Sequence, residues 1–142
     1  MILVVDASVA LKWFLGERRD EPRAGEATAI LRSIDTGRVR MVQPPHFLAE
    51  VAAVLAREQP ATAGEDMLLL QAIEWEVAEP PEIYATAVEL SIRLQHHVFD
   101  TLYHATALHA DDAALVTADE TYYRKAHAQG RIVRLGDFEL LE

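Results

Sequence analysis

The chain has 142 residues, 51% hydrophobic but only 7% aromatic, with 13 basic against 23 acidic side chains and no cysteine. That length supports one core and not two, and the missing cysteine excludes a disulfide scaffold, a thiol nucleophile and a thiolate metal site. A formal charge of −10 argues against a basic duplex-binding surface and against an anionic membrane as partner.

Residues 2–5 are a short β-branched run ending at Asp6, the pattern of a buried parallel strand. Residues 7–15 then predict a helix closed by Gly16. Asp6 and Lys12 interrupt this apolar opening and no basic segment precedes it, so it does not read as a secretory signal. Residues 24–35 predict a second helix ended at Gly37, and residues 39–42 a strand stopped by Pro44 and Pro45. From 47 to 57 the apolar residues Phe47, Leu48, Val51, Val54 and Leu55 recur at helical spacing. Residues 65–73 predict a helix and 74–77 a short strand. Residues 82–96 form a strong helical pattern with Ile83, Ala87, Leu90 and Leu94 on one stripe, and 99–110 form another. A second buried strand is expected at 113–116, a helix at 120–128 ended by Gly130, and a last strand at 132–135.

Strands alternating with helices predict one α/β domain over residues 1–142, with a central parallel sheet and right-handed crossovers. No stretch approaches 18 uninterrupted apolar residues, so a soluble, cytoplasmic protein is expected. The charge is uneven: residues 1–57 carry net +1, 58–92 carry −8 and 93–142 carry −3. The acidity therefore reads as one solvated helical face, leaving the rest of the surface near neutral or locally positive.

In a parallel sheet reactive groups gather at the carboxyl ends of strands, which singles out Asp6 and the segment from Thr117 to Asp119. Each has an ordinary reading as well. Asp6 or Ser8 can cap the following helix, and Thr117 to Glu120 spells a capping box. Glu50 stands out because the other residues from Phe47 to Ala56 are apolar or small. Asp100 is similarly placed near the start of a helix, where an acid also suits the dipole. Four carboxylates converging in one cleft would repel, and a divalent cation would be needed to stabilise them. Oxygen-only ligation selects Mg²⁺ or Mn²⁺ over zinc, the usual equipment for phosphodiester hydrolysis.

The segments VVDASVALKWF with Asp6, FLAEVAAVL with Glu50, FDTLYHATAL with Asp100 and LVTADETYY with Asp119 resemble the four acidic motifs of PIN-domain nucleases. More narrowly, they are similar to the VapC-type toxins of prokaryotic toxin–antitoxin pairs, from Met1 to about Leu135. The resemblance implies a PIN-like three-layer α/β/α fold, an Mg²⁺- or Mn²⁺-dependent ribonuclease acting on RNA, a homodimer, and a cognate antitoxin. It also implies that Asp6 and Asp100 ligate metal directly, that Glu50 and Asp119 complete the pocket, and that Ser8 or Thr117 hydrogen-bonds within it. His104 lies four residues after Asp100 and His46 four before Glu50, so a histidine-containing zinc site is a competing expectation.

Phosphoacceptor domains and aspartate-nucleophile phosphatases also open with an acid after a strand. The first would want a lysine directly after a late strand, and the second an aspartate where Ser8 stands. The remaining alternative is a catalytically inactive PIN-like module that binds protein or RNA. For RNA, Lys12, Arg18, Arg19 and Arg23, with Arg124 and Lys125, are candidates to rim the cleft, unless Glu17, Asp20 and Glu21 neutralise the first group. Trp13, Phe14 and the pair Tyr122 and Tyr123 are candidates for base stacking, Trp13 and Phe14 more naturally for packing.

Overall fold

A computed structural model describes residues 1–139, without the side chains of residues 17–19. The expected apolar run forms β1 (Ile2–Val5), and Leu3, Val4 and Val5 are fully enclosed. It lies in the middle of a five-stranded sheet with β2 (Arg40–Gln43), β3 (Glu76–Val77), β4 (Ala113–Thr117) and β5 (Ile132–Arg134). The order is β3-β2-β1-β4-β5 and every pairing is parallel. Val5 pairs with Val116, so β1 and β4 end level with each other. The chain builds outward from β1 in both directions, which opens a crevice at the carboxyl ends of β1 and β4.

Among the described residues seven α-helices cover the sheet in a three-layer α/β/α arrangement: α1 (Ala7–Arg19), α2 (Ala24–Asp35), α3 (Phe47–Glu58), α4 (Ala63–Gln71), α5 (Pro81–Leu94), α6 (Val98–Leu108) and α7 (Glu120–Ala126). Helix α6 packs against β1 and β4, and α5 packs on α6. The core joins strand residues such as Leu115 to Phe47, Val51, Leu55 and Tyr103 of the helices. Each fully buried aliphatic side chain there contributes about 1.5–3 kcal/mol. Among the described residues no helix is long and apolar enough to cross a membrane.

The predicted elements all form, with three informative shifts. Helix α1 continues past Gly16, because that glycine is a packing residue and not a stop. It is buried, and a Cβ there would meet the Ala24 Cβ at 2.9 Å. The helix ends instead at Asp20, left-handed at φ 49°, whose N–H reaches the Gly16 carbonyl. Strand β2 gains Gln43, whose fully buried side-chain amide acts as a piece of sheet: Oε1 accepts from Val5 N at 2.7 Å and Nε2 donates to Val5 O at 2.8 Å. Helix α5 stops at Leu94, with Gln95 left-handed at φ 51°, so His96 and His97 lie in the link to α6.

Candidate metal centre

Asp6 follows β1 and Asp119 stands two residues beyond β4, at the crevice the topology opens. Glu50 and Asp100 lie in the first turns of α3 and α6. Each of the four thus comes from a different segment, and the fold brings all of them to the same end of the sheet. Asp6 is the N-cap of α1 and is nearly buried. Its Oδ2 accepts from Ser8 N at 3.2 Å, from Ser8 Oγ, and from Thr117 Oγ1 at 3.3 Å. Ser8 Oγ in turn accepts from Ala118 N, and Thr117 Oγ1 from Asp119 N, both at 3.0 Å. These bonds tie the two strand ends together and fall on one oxygen of Asp6, leaving Oδ1 for another partner. Thr117 is therefore a link to Asp6 and not the start of a capping box; Asp119 itself caps α7, accepting from Tyr122 N at 3.0 Å.

The acids feel one another. Burial pushes Asp6 up to about 6, against the Ser8 hydrogen bond and with help from the charges of Asp100 and Asp119. Burial also pushes Glu50 up to about 7, followed by the charges of Asp6 and Asp100. Beside them lies Tyr103, fully buried, whose hydroxyl has no hydrogen-bond partner among the described residues. Glu50 faces it closely enough to interact, yet not in hydrogen-bonding geometry, and burial followed by the Glu50, Asp6 and Asp100 charges holds its ionisation far above the tyrosine range. An unpartnered buried hydroxyl costs about 1–3 kcal/mol, so this one is a donor waiting for an acceptor.

His96 joins the centre without having been singled out in the sequence. One ligand atom each of His96, Asp100 and Asp119 lies within 4.8 Å of the others. His96 Nε2 is 2.7 Å from Asp100 Oδ2, and Lys125 Nζ is 3.3 Å from its Nδ1. An ammonium can only donate, so Nδ1 is the acceptor and Nε2–H donates to Asp100. Asp100 and Tyr103, three residues apart on α6, share a face, and His96 reaches Asp100 from the link before that helix. The four-residue spacing was visible, but His96 precedes α6 and is one of four histidines between residues 96 and 109.

The other candidates lie elsewhere or are already engaged. His104 is buried, with Nε2–H donated to Gly130 O at 2.8 Å and Nδ1 accepting from Tyr122 Oη at 2.9 Å. Burial lowers its basicity, and neither nitrogen is left for zinc. His46 donates Nε2–H to Phe99 O at 2.7 Å; burial lowers its basicity too, so its 3.5 Å approach to Glu50 is no strong ion pair. Lys12 pairs with Glu21 at 3.4 Å, and Arg23 with Glu26 at 3.6 Å; the Arg18 and Arg19 side chains lie outside the described residues. Tyr122 is buried, and Tyr123 stacks on His127 with the Arg134 guanidinium 5.0 Å from its ring centre, so neither is an open platform for a base. Trp13 packs against the core and donates Nε1–H to Ala27 O at 2.8 Å.

A family model described as PIN domain matches residues 3–128. The crystal structure of PAE2754 from Pyrobaculum aerophilum superposes with a TM-score of 0.63 over 95% of this chain and 89% of that one, at 17% identity. At that identity the likeness speaks for the fold alone. No curated protein is significantly similar in sequence.

Proposed function

The chain belongs to the PIN domain family, and on that premise we propose that it is a Mg²⁺- or Mn²⁺-dependent endoribonuclease, the toxin of a type II toxin–antitoxin pair. PIN domains are typically metal-dependent nucleases. The observation that carries the reading here is the approach of Glu50, Asp6 and Asp100 to one another and to the Tyr103 hydroxyl, with Asp119 beside Asp6 and two of the four pKa values raised. Raised carboxylate pKa values mark negative charge that the protein alone does not compensate.

The donor set suits a hard cation. The free oxygen of Asp6 and the carboxylate of Asp100 would hold it, with Glu50 and Asp119 completing the pocket or holding a second ion. The His96 nitrogens are engaged with Lys125 and Asp100, and His104 is engaged elsewhere, which favours oxygen ligation over zinc. Such an ion supplies Lewis acidity and an acidified water for attack on a phosphodiester. Ser8 and Thr117 fix the orientation of Asp6, and His96 fixes that of Asp100. Glu50 is suited to take up a proton, and Tyr103 to donate to a water or phosphate oxygen beside it.

Exposed apolar surface supports protein partners. Helix α3 buries Phe47, Val51 and Leu55, but α4 leaves Leu68 and Leu69 exposed, and α5 presents Tyr84, Val88 and Ile92 on one stripe. A groove of about 560 Å³ between α1, α2 and α4, lined by Trp13, Phe14, Leu31 and Leu69 among others, suits an amphipathic antitoxin segment. An arginine on such a segment would pair with the carboxylates and displace the ion.

The test is cleavage of single-stranded RNA by the purified chain after chelation. Mg²⁺ or Mn²⁺ should restore cutting, Asp100→Asn should abolish it, and coexpression of the adjacent open reading frame should relieve growth arrest. A folded chain that neither cuts RNA nor slows growth makes the inactive binding module the better account.

A further inference from the structure

A second pocket, of about 440 Å³, shares His96 as a wall with the acidic centre. Ser91 of α5, Gln95 and His97 of the link, and Lys125 of α7 complete its lining. In a chain of net charge −10, no carboxylate is among these lining residues. The donors it offers an anion are the Lys125 ammonium, the His97 imidazole and the Gln95 amide; the Ser91 hydroxyl already donates to His96 O, and both His96 nitrogens serve Asp100 and Lys125. Lys125 is also placed unlike many of the basic residues. Arg40, Arg57, Arg134 and Lys12 each meet a carboxylate, whereas the Lys125 ammonium donates to Gln95 O at 3.1 Å and to His96 Nδ1 at 3.3 Å. It therefore keeps its positive charge uncompensated one imidazole away from the carboxylates.

We infer that this pocket is the subsite for a backbone phosphate of the RNA, next to the phosphate being cut. The inference rests on the nuclease reading above and assigns it a substrate contact. A strand lying across an acidic centre needs cationic help close by, because phosphate contacts supply much of the affinity for nucleic acid. Lys125 supplies it at a point where its own neighbours hold the side chain in place. His97, exposed beside it, adds a second donor.

The salt dependence of binding tests this. The probe is a fluorescent single-stranded RNA of mixed sequence, titrated by anisotropy with Ca²⁺ in place of Mg²⁺, from 50 to about 200 mM salt. Lys125→Gln should weaken binding about threefold to tenfold and reduce the slope of log K against log salt by about 0.7, the value for one lost contact to a single strand. Lys125→Arg should keep the wild-type slope. So should Arg38→Gln, which removes an exposed charge just before β2, at the opposite end of the sheet. An unchanged slope in Lys125→Gln overturns the subsite and leaves the nuclease reading standing. An equal loss in Arg38→Gln also overturns it, since the effect would then be general. A wild-type chain that does not bind the RNA overturns both.

Discussion

Replacing Asp6 with asparagine should stabilise the metal-free chain at pH 8 and fail to do so at pH 4.5. Asp6 is 8% exposed and its pKa is raised from 3.8 to about 6, chiefly by burial. A carboxyl whose folded-state pKa exceeds its unfolded value contributes fully below the unfolded pKa. That contribution is lost as pH rises through the folded pKa, because the unfolded chain releases its proton first. A shift of roughly two units corresponds to about 3 kcal/mol. Asparagine is an equally good N-cap, and its carbonyl can still accept from Ser8. One of the three hydrogen bonds on Oδ2 would weaken, costing about 1 kcal/mol. The net gain at pH 8 is therefore about 2 kcal/mol, or roughly 6 °C in Tm for a chain of this size. Urea unfolding in EDTA at the two pH values, followed by tryptophan fluorescence, measures it. Equal destabilisation at both pH values would refute the reasoning, since Asp6 would then be an ordinary cap whose charge costs nothing.

The same unfolding assay checks four further substitutions. Tyr103→Phe removes an unpartnered buried hydroxyl and should raise metal-free stability by about 1 kcal/mol; a loss would mean that the hydroxyl has a partner. His104→Ala should cost about 3 kcal/mol while leaving Mn²⁺ affinity unchanged, because its nitrogens serve Gly130 and Tyr122. Weakened Mn²⁺ binding there would revive the histidine site. Gln43→Leu leaves the Val5 N–H and carbonyl without partners and should cost about 2–4 kcal/mol. Gly16→Val should cost about 1–3 kcal/mol through the clash with Ala24.

The alternation of strands and helices was legible because β1 and β4 are continuous apolar runs, which only a doubly covered parallel sheet uses. The four acids were legible for a related reason. Asp6 and Asp119 follow such runs, and Glu50 and Asp100 interrupt helical faces that are otherwise apolar. What stayed hidden depends on three-dimensional contacts. Gly16 reads locally as a helix stop, and only the approach of α2 explains why the helix runs on. Gln43 reads as a polar strand end, and its role exists only because the pairing of β1 with β2 runs no further than Leu3 and Met41, which leaves the Val5 peptide to be paired by a side chain. His96 is indistinguishable by composition from His97, His104 and His109. It differs in meeting Asp100 on one side and Lys125 on the other. Thr117 illustrates the opposite error: its capping-box spacing was real, but the side chain turns to Asp6.

The central claim is that the four carboxylates hold a divalent cation, and calorimetric titration of Mn²⁺ into the chelator-treated chain tests it most directly. Glu50, with its pKa near 7, should give up roughly half a proton per site at pH 7 when the ion binds. Titrations in buffers of different ionisation enthalpy measure that release. The expected result is saturable binding at one or two ions with proton release, lost in Asp100→Asn. Absence of Mn²⁺ binding in the folded chain, or binding unaltered by Asp100→Asn, would contradict the account.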